Sequence, residues 1–203
     1  RFELAQLYYA QKRYQDCLKT LNNLEVLIGV SEDLSQQKKE IYLLLDDEEG
    51  ARKEMEKLVE AYPANLEYKG LLAQYYAANL MFDEAVAVYE GMLIEAPDDP
   101  RAHLDLANIY KQQKKYDQSI EHLKIALAST SLEVDRKIQV IYSIYQLSER
   151  DTSMNSMGYE LLEISINATP KEPKLYAMLA DFQLRDNNLK GARDSFRKST
   201  RLG

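Results

Sequence analysis

The sequence predicts an all-helical solenoid made of about six antiparallel helix pairs, and three observations carry that prediction. Four tyrosines, Tyr8, Tyr42, Tyr76 and Tyr110, stand 34 residues apart. A small residue follows each of them nine positions later, as Cys17, Ala51, Ala85 and Ser119. Inside one period the apolar residues are spaced three and four apart, as in Leu72, Ala73 and Tyr76 and then Phe82, Ala85, Tyr89 and Met92, the spacing of two amphipathic helices. A fixed period in this range means one unit copied along the chain, each copy burying its apolar face against its neighbours.

The repeats are expected at residues 1–31 (entered part-way), 32–65, 66–99, 100–133, 134–172 (extended) and 173–203 (truncated), as a single solenoid over 1–203. The first keeps Leu4, Ala5, Tyr8, Tyr14, Cys17 and Leu21 in register. In the second, Tyr42, Ala51 and Pro63 stay in register, but Lys38 and Lys39 fall where apolar and small residues belong. Unpartnered lysines are costly to bury. The expectation is a shorter, rotated first helix burying Leu34, Ile41 and Leu45; the alternative is lysine stems lying flat with their ammonium groups in water. The run Asp46-Asp47-Glu48-Glu49 lacks the alternating ligands and turn glycine of a calcium loop and reads as charge at a helix N-terminus.

In the third repeat a polar break at Asn79 to Met81 separates the helices, and Asp83 with Glu84 opens the second. Pro63, Pro97 and Pro170 each close a second helix, since proline has no amide donor and clashes with the preceding turn. Asp99-Pro100 reads as N-cap and first helical residue, and Glu172-Pro173 does so with a poorer cap. The fifth repeat gains one residue before Tyr145 and four more before Gly158. Its polar stretch Ser148 to Ser156 is expected to be an extended first helix or a longer loop. Register is lost in the sixth repeat at Gln183.

Composition narrows the function classes. The chain has 203 residues, 45% hydrophobic and 29% charged, with 7 Gly, 5 Pro and no Trp, the profile of a folded helical chain. Lys and Arg total 26 against 33 Asp and Glu, a net charge of -7, which argues against nucleic acid as partner. No apolar run reaches the ~20 residues that span a bilayer, so direct membrane insertion by this segment is not expected. Arg1 and Phe2 fall in a helical pattern already under way. They read as a start inside a larger protein, so cytoplasm and periplasm are not distinguished.

These residues resemble the tetratricopeptide repeat. The match is strongest in the third repeat, through Leu72, Ala73, Tyr76, Phe82, Ala85, Tyr89, Met92 and Pro97. The fourth follows with His103, Leu106, Ala107, Tyr110, Tyr116, Ser119, Leu123 and Ala126, Ser131 replacing the proline. The sixth keeps Tyr176, Leu179, Ala180, Leu189, Ala192 and Phe196. The resemblance implies a right-handed superhelix whose concave groove is lined by the first helix of each repeat. The function implied is a scaffold or adaptor that binds a protein or peptide there.

Carried over position by position, the family's groove falls on Gln6 and Tyr9; Gln37 and Glu40; Leu71 and Gln74; Leu104, Asp105 and Asn108; Gln139, Val140 and Ser143; and Met178, Asp181 and Leu184. Amides both donate and accept, which suits an extended peptide backbone or a partner helix. Leu71, Leu104, Val140 and Met178 would seat apolar anchors. The basic clamp with which some relatives grip acidic C-terminal tails is missing: its positions hold Gly70, Gln74, Asp105, Arg136 and Val140. A groove holding Glu40, Asp105 and Asp181 does not suit RNA. The end repeats leave self-association open.

No catalytic, cofactor or metal site is expected. His103 and His122 have no cysteine or paired carboxylate at ligand spacing. His103 reads as helix packing, His122 as surface, and Cys17 as a small core hydrophobe. The alternative function is a repeat segment of a larger enzyme or sensor whose chemistry lies outside these residues.

Overall fold

A computed structural model describes residues 1–148 and 154–203, with residue 153 by its backbone alone. Every regular element among the described residues is an α-helix. The chain divides into two compact units, Arg1–Glu95 and Ala96–Gly203. The N-terminal unit holds α1 (Phe2–Ala10), α2 (Tyr14–Ile28), α3 (Glu32–Leu44), α4 (Glu48–Ala61), α5 (Leu66–Ala78) and α6 (Phe82–Glu95). The C-terminal unit holds α7 (Pro100–Gln112), α8 (Tyr116–Ala128), α9 (Val134–Ser148), α10 (Ser153–Ala168), α11 (Pro173–Arg185) and α12 (Leu189–Leu202). Consecutive helices pack as pairs, α1 with α2 through α11 with α12. The pairs stack by α2 on α3 and α4 on α5 in the first unit, and by α8 on α10 and α9 on α11 in the second. Each unit is thus an all-α stack of repeated helix pairs.

One turn is used in five of the pairs. Lys12, Asp46, Leu80, Lys114 and Asn187 all take left-handed backbone, with φ near +60°. The next amide donates back to the carbonyl five residues earlier: Arg13 to Tyr8, Asp47 to Tyr42, Met81 to Tyr76, Lys115 to Tyr110 and Asn188 to Gln183, at 2.8–2.9 Å. This is the Schellman closure of a helix C-terminus. The tyrosine ladder supplies its acceptor carbonyl four times, and Gln183 takes that role where the ladder lapses. Arg13 and Lys115 also lie over the rings of Tyr8 and Tyr110, at 4.5 and 5.7 Å.

The small-residue ladder marks where the two helices of a pair touch. Cys17, Ala51, Ala85 and Ser119 are all buried. Cys17 Sγ donates to the Ala5 carbonyl at 3.1 Å and Ser119 Oγ to that of Ala107 at 2.7 Å, contacts that only a short side chain on a close backbone can make. Gly158 extends the ladder into α10. A Cβ there would lie 2.5 Å from the Phe182 ring, so α10 and α11 approach as closely as they do only because the position is glycine.

Helix boundaries follow local chemistry. Asp47, Asn65, Asp99 and Asn188 cap α4, α5, α7 and α12 with side-chain oxygens that accept from backbone amides. Asp47 and the two glutamates after it thus belong to a helix start, as expected. Glu172 precedes Pro173 but makes no capping bond. Pro63, Pro97 and Pro170 each stand two residues past a second helix. In the fifth repeat α9 has 15 residues and α10 has 16, against 13 in α7, so its first helix is extended. The loop reading of Ser148 to Ser156 falls partly on residues 149–152, outside the described ones; Ser148 ends α9, and 153–156 already belong to α10.

The Lys38 expectation needs correction. Helix α3 is neither short nor free of the lysine: Lys38 is fully buried beside Leu34 and Ile41. Its ammonium lies 2.7 Å from Glu54 on α4 and 3.2 Å from Glu25 on α2, and Lys57 reaches Glu25 from outside. Burial raises the Glu25 carboxyl, but the hydrogen bonds and charges of Lys57 and Lys38 outweigh it and hold it below its ordinary value. Lys137 on α9 has no such company. It is equally buried, its Nζ has no hydrogen-bond partner, and burial pushes its ammonium pKa down against a weak pull upward from Glu172.

The two lysines should therefore respond oppositely to removal of charge. Lys38→Met strands the buried Glu54 carboxylate and leaves Glu25 with Lys57 alone, and it is expected to cost about 3–5 kcal/mol. Lys137→Met removes an unpaired buried charge and is expected to gain about 1–3 kcal/mol at neutral pH. Because the folded Lys137 binds its proton less readily than the unfolded chain does, wild-type stability should rise with pH up to the ordinary lysine range near ~10.4. Urea titration from pH 7 to 10 would show that slope flattened in Lys137→Met. At Leu80, 70% exposed in a conformation that costs a side chain about 1–2 kcal/mol, Leu80→Gly should raise the unfolding free energy read by urea titration by a net ~0.5–1 kcal/mol.

Candidate interaction surface

One position on the first helix of every pair is polar or charged and exposed. Gln6, Glu40, Gln74 and Asn108 follow one another at the 34-residue period on α1, α3, α5 and α7, and Ser143 and Asp181 continue the row on α9 and α11. The helix period fixes this: residues facing away from the partner helix recur on one side, and the constant turn keeps that side in phase along each unit. Tyr9 is 43% exposed and meets Tyr14 edge to face at 5.8 Å. Gln139 is exposed and accepts from Arg136, while Ser143 Oγ donates to the Val140 carbonyl. Gln37, Leu71, Asp105 and Val140 are half-buried, Val140 lying against the core of the C-terminal unit.

Two expected lining residues are not open. Leu104 and Met178 are 5% and 6% exposed and belong to the core cluster with Leu127, Ile141, Ile144 and Phe182. The neighbouring pair covers that side of α7 and α11, so positions that are inward-facing by family pattern become packing positions here. Among the apolar anchors expected, Leu71 and Val140 keep part of their surface in the open.

Met178 nonetheless contributes an edge to a recess of about 170 Å³ between α9 and α11, with Tyr142, Tyr145, Asp181, Leu184 and Arg185. Tyr142 and Tyr145 stand one turn apart on α9, their rings nearly parallel at 6.2 Å. Arg185 lies over Tyr145 at 4.4 Å and over Phe182 at 4.9 Å. Its Nη1 donates to the Tyr145 carbonyl and to Ser148 Oγ, and its Nη2 to Asn155 Oδ1. Asp186 receives Asn155 Nδ2 at 3.0 Å and the Tyr159 hydroxyl at 2.8 Å, and the Tyr159 pKa is pushed up to about 12 by burial and this carboxylate. Sequence reading left Tyr142 and Arg185 aside; their legible trace was spacing, Tyr142 three residues before Tyr145 and Arg185 four after Asp181.

A second, larger recess of about 690 Å³ runs along α12, where Leu184, Leu189, Ala192 and Phe196 form an apolar floor edged by Arg193, Arg197 and Arg201.

One of the two histidines departs from expectation. His103 is buried as packing, but His122 is half-buried, stacked on Tyr110 at 5.4 Å, with its Nδ1 2.8 Å from that of His103. His103 Nε2 donates to the Pro97 carbonyl, so in the neutral pair His103 Nδ1 accepts and His122 Nδ1 donates. Among the described residues no three His, Cys, Asp or Glu side chains gather as a metal site would require, and no helix is long and apolar enough to cross a membrane.

Two family models described as tetratricopeptide repeat match the chain, one over residues 45–100 and one over 77–131. Residues 45–131 carry tetratricopeptide repeats. No curated protein matches the chain. Among solved structures, PilF of Pseudomonas aeruginosa is similar in fold, with 12% identity, 99% of this chain and 89% of that one covered, and a TM-score of 0.54. A crystal structure of MamA aligns with 17% identity over 81% of this chain and 93% of that one at a TM-score of 0.47. MamA from Desulfovibrio magneticus RS-1 aligns with 16% identity over 98% and 91% at 0.45. Tetratricopeptide repeats of this kind form protein-interaction scaffolds, typically without catalysis of their own.

Proposed function

We propose that this repeat protein is an adaptor that holds a peptide or partner protein on the concave face formed by its first helices. The observation that carries this reading is the exposed polar position that recurs once per repeat, as Gln6, Glu40 and Gln74 in the N-terminal unit and as Asn108, Ser143 and Asp181 in the C-terminal unit. Acceptor side chains, with the amides and Ser143 also able to donate, recurring on prepacked helices, suit a partner's backbone groups better than any single pocket would. The helices are ordered before the partner arrives, so binding costs chiefly the partner's own freedom. Half-buried Leu71 and Val140 offer apolar contacts beside the row. Self-association belongs to the same proposal: the apolar floor of the α12 recess, with Leu189 64% and Phe196 39% exposed, is the surface it would use.

The test substitutes Gln74, Asn108 and Ser143 together by Lys and compares affinity capture from the native cells with a control set, Glu84, Gln118 and Glu163 to Lys, on the exposed sides of second helices α6, α8 and α10. Helical circular dichroism should be unchanged in both. Capture of the principal partner should fall by about tenfold or more in the first set alone. Equal capture by both sets, or loss confined to the control set, would put the binding face elsewhere. Phe196→Glu should abolish any concentration-dependent mass seen by analytical ultracentrifugation.

A further inference from the structure

The recess between α9 and α11 contains one ionic group without a partner. Asp181 makes no hydrogen bond or ion pair among the described residues, although surrounding protein desolvates its carboxyl and pushes its pKa up. Its neighbours explain the isolation. Arg185, four residues on and close enough in sequence to reach it, is turned toward the Tyr145 carbonyl on α9 and the Asn155 side chain on α10, and lies against Asp186 at 3.6 Å. An anion entering the recess would meet Asp181 and find the arginine's main donors committed inward. A cation would meet a carboxylate that is open to solvent yet partly desolvated by the surrounding protein, which strengthens the attraction somewhat over that of a fully solvated pair.

The remaining lining favours a particular kind of cation. Tyr142 is 50% exposed and backed by Tyr145, so one ring face is open beside the carboxylate. Aromatic faces attract guanidinium and ammonium groups, and guanidinium also stacks flat on them. Leu184 and the edge of Met178 supply apolar surface along which an aliphatic stem can lie. The volume, about 170 Å³, is that of a side chain and not of a folded element. The charge of the whole chain, -7, points the same way.

We propose that the recess formed by Tyr142, Met178, Asp181 and Leu184 is a specificity pocket for a basic side chain, arginine or lysine, presented by an extended peptide partner. Asp181 pairs with the cationic head, Tyr142 covers its flat face, and Met178 with Leu184 hold the stem. The inference rests on the reading that the first helices form the partner-binding face, and it adds what that partner must carry at the fifth and sixth repeats.

The experiment titrates the isotope-labelled full chain with N-acetyl-Leu-Arg-Leu-amide and N-acetyl-Leu-Lys-Leu-amide, and with the same peptide carrying citrulline, which keeps the shape of arginine without its charge. The arginine peptide, the lysine peptide or both should produce saturable NMR shifts at Tyr142 and Asp181, about tenfold tighter than citrulline. Asp181→Asn should remove that preference while leaving citrulline binding unchanged, and Tyr142→Leu should weaken cation binding with the amide spectrum otherwise preserved. Asp181→Glu, which retains the charge, should keep the preference and so separates electrostatics from any loss of fold. Equal binding of charged and neutral peptides, shifts confined to other helices, absence of shifts, or an unchanged preference in Asp181→Asn would each overturn the pocket. Such a failure is distinct from failure of the scaffold reading, which is decided by partner capture in variants that leave Asp181 intact.

Discussion

The array depends on one hydrogen bond made again and again, from the amide after a left-handed residue to the carbonyl of the residue five before it. It fixes where the first helix stops and how the chain enters the second. With the entry fixed, the small residue nine positions after the ladder tyrosine always arrives opposite the first helix, close enough for Cys17 and Ser119 to bond to the carbonyls of Ala5 and Ala107. The close approach of the paired helices is thus a consequence of the turn, and the exposed row on the first helices is a consequence of both. Except at the fifth pair, whose connection lies outside the described residues, the left-handed residue is never glycine. The helix pairs therefore carry a backbone cost in their turns that the packing on either side offsets.

The interior treats charge in two ways. In the N-terminal unit, Lys38, Glu25, Glu54 and Lys57 form a network in which three helices contribute partners. Such a network adds little net stability over an apolar core but penalises every packing that separates its members. Helices α2, α3 and α4 have one arrangement that satisfies it. In the C-terminal unit one recurring position is filled by a polar bond twice and by an unpartnered charge once. The side chain six residues past the closing proline bonds to that proline's carbonyl at His103 and at Tyr176. At the fifth repeat the proline is Ser131, and the residue six on is Lys137, whose Nζ has no hydrogen-bond partner.

Most of the architecture was legible in the sequence because it is periodic. Helix pairs, proline stops and the caps at Asp47 and Asp99 are local, and each can be read from a few neighbouring residues. What escaped reading was pairwise and distant. Lys38 violates the pattern by itself and is explained only by glutamates 13 residues before it and 16 after, on other helices. His122 looks like a surface residue until α7 brings His103 to it. Leu104 and Met178 sit at inward-facing positions of the family pattern, yet in this chain the adjacent pair covers them. The candidate surface was legible as a row of positions, while the recess at its C-terminal part depends on how far α11 leans over Tyr142, which no spacing encodes.

The clasp made by Arg185 bears on how such arrays change length over evolutionary time. By holding Ser148 at the end of α9 and Asn155 at the start of α10, it fixes the two sides of the connection from a third helix. Those contacts set the angle at which α9 meets α10 from outside the pair. In the five pairs closed by a tight left-handed turn, added residues would be transmitted to the neighbours as a change of phase. The ends of α9 and α10 held by Arg185 are therefore the points in this chain whose spacing is set from a third helix.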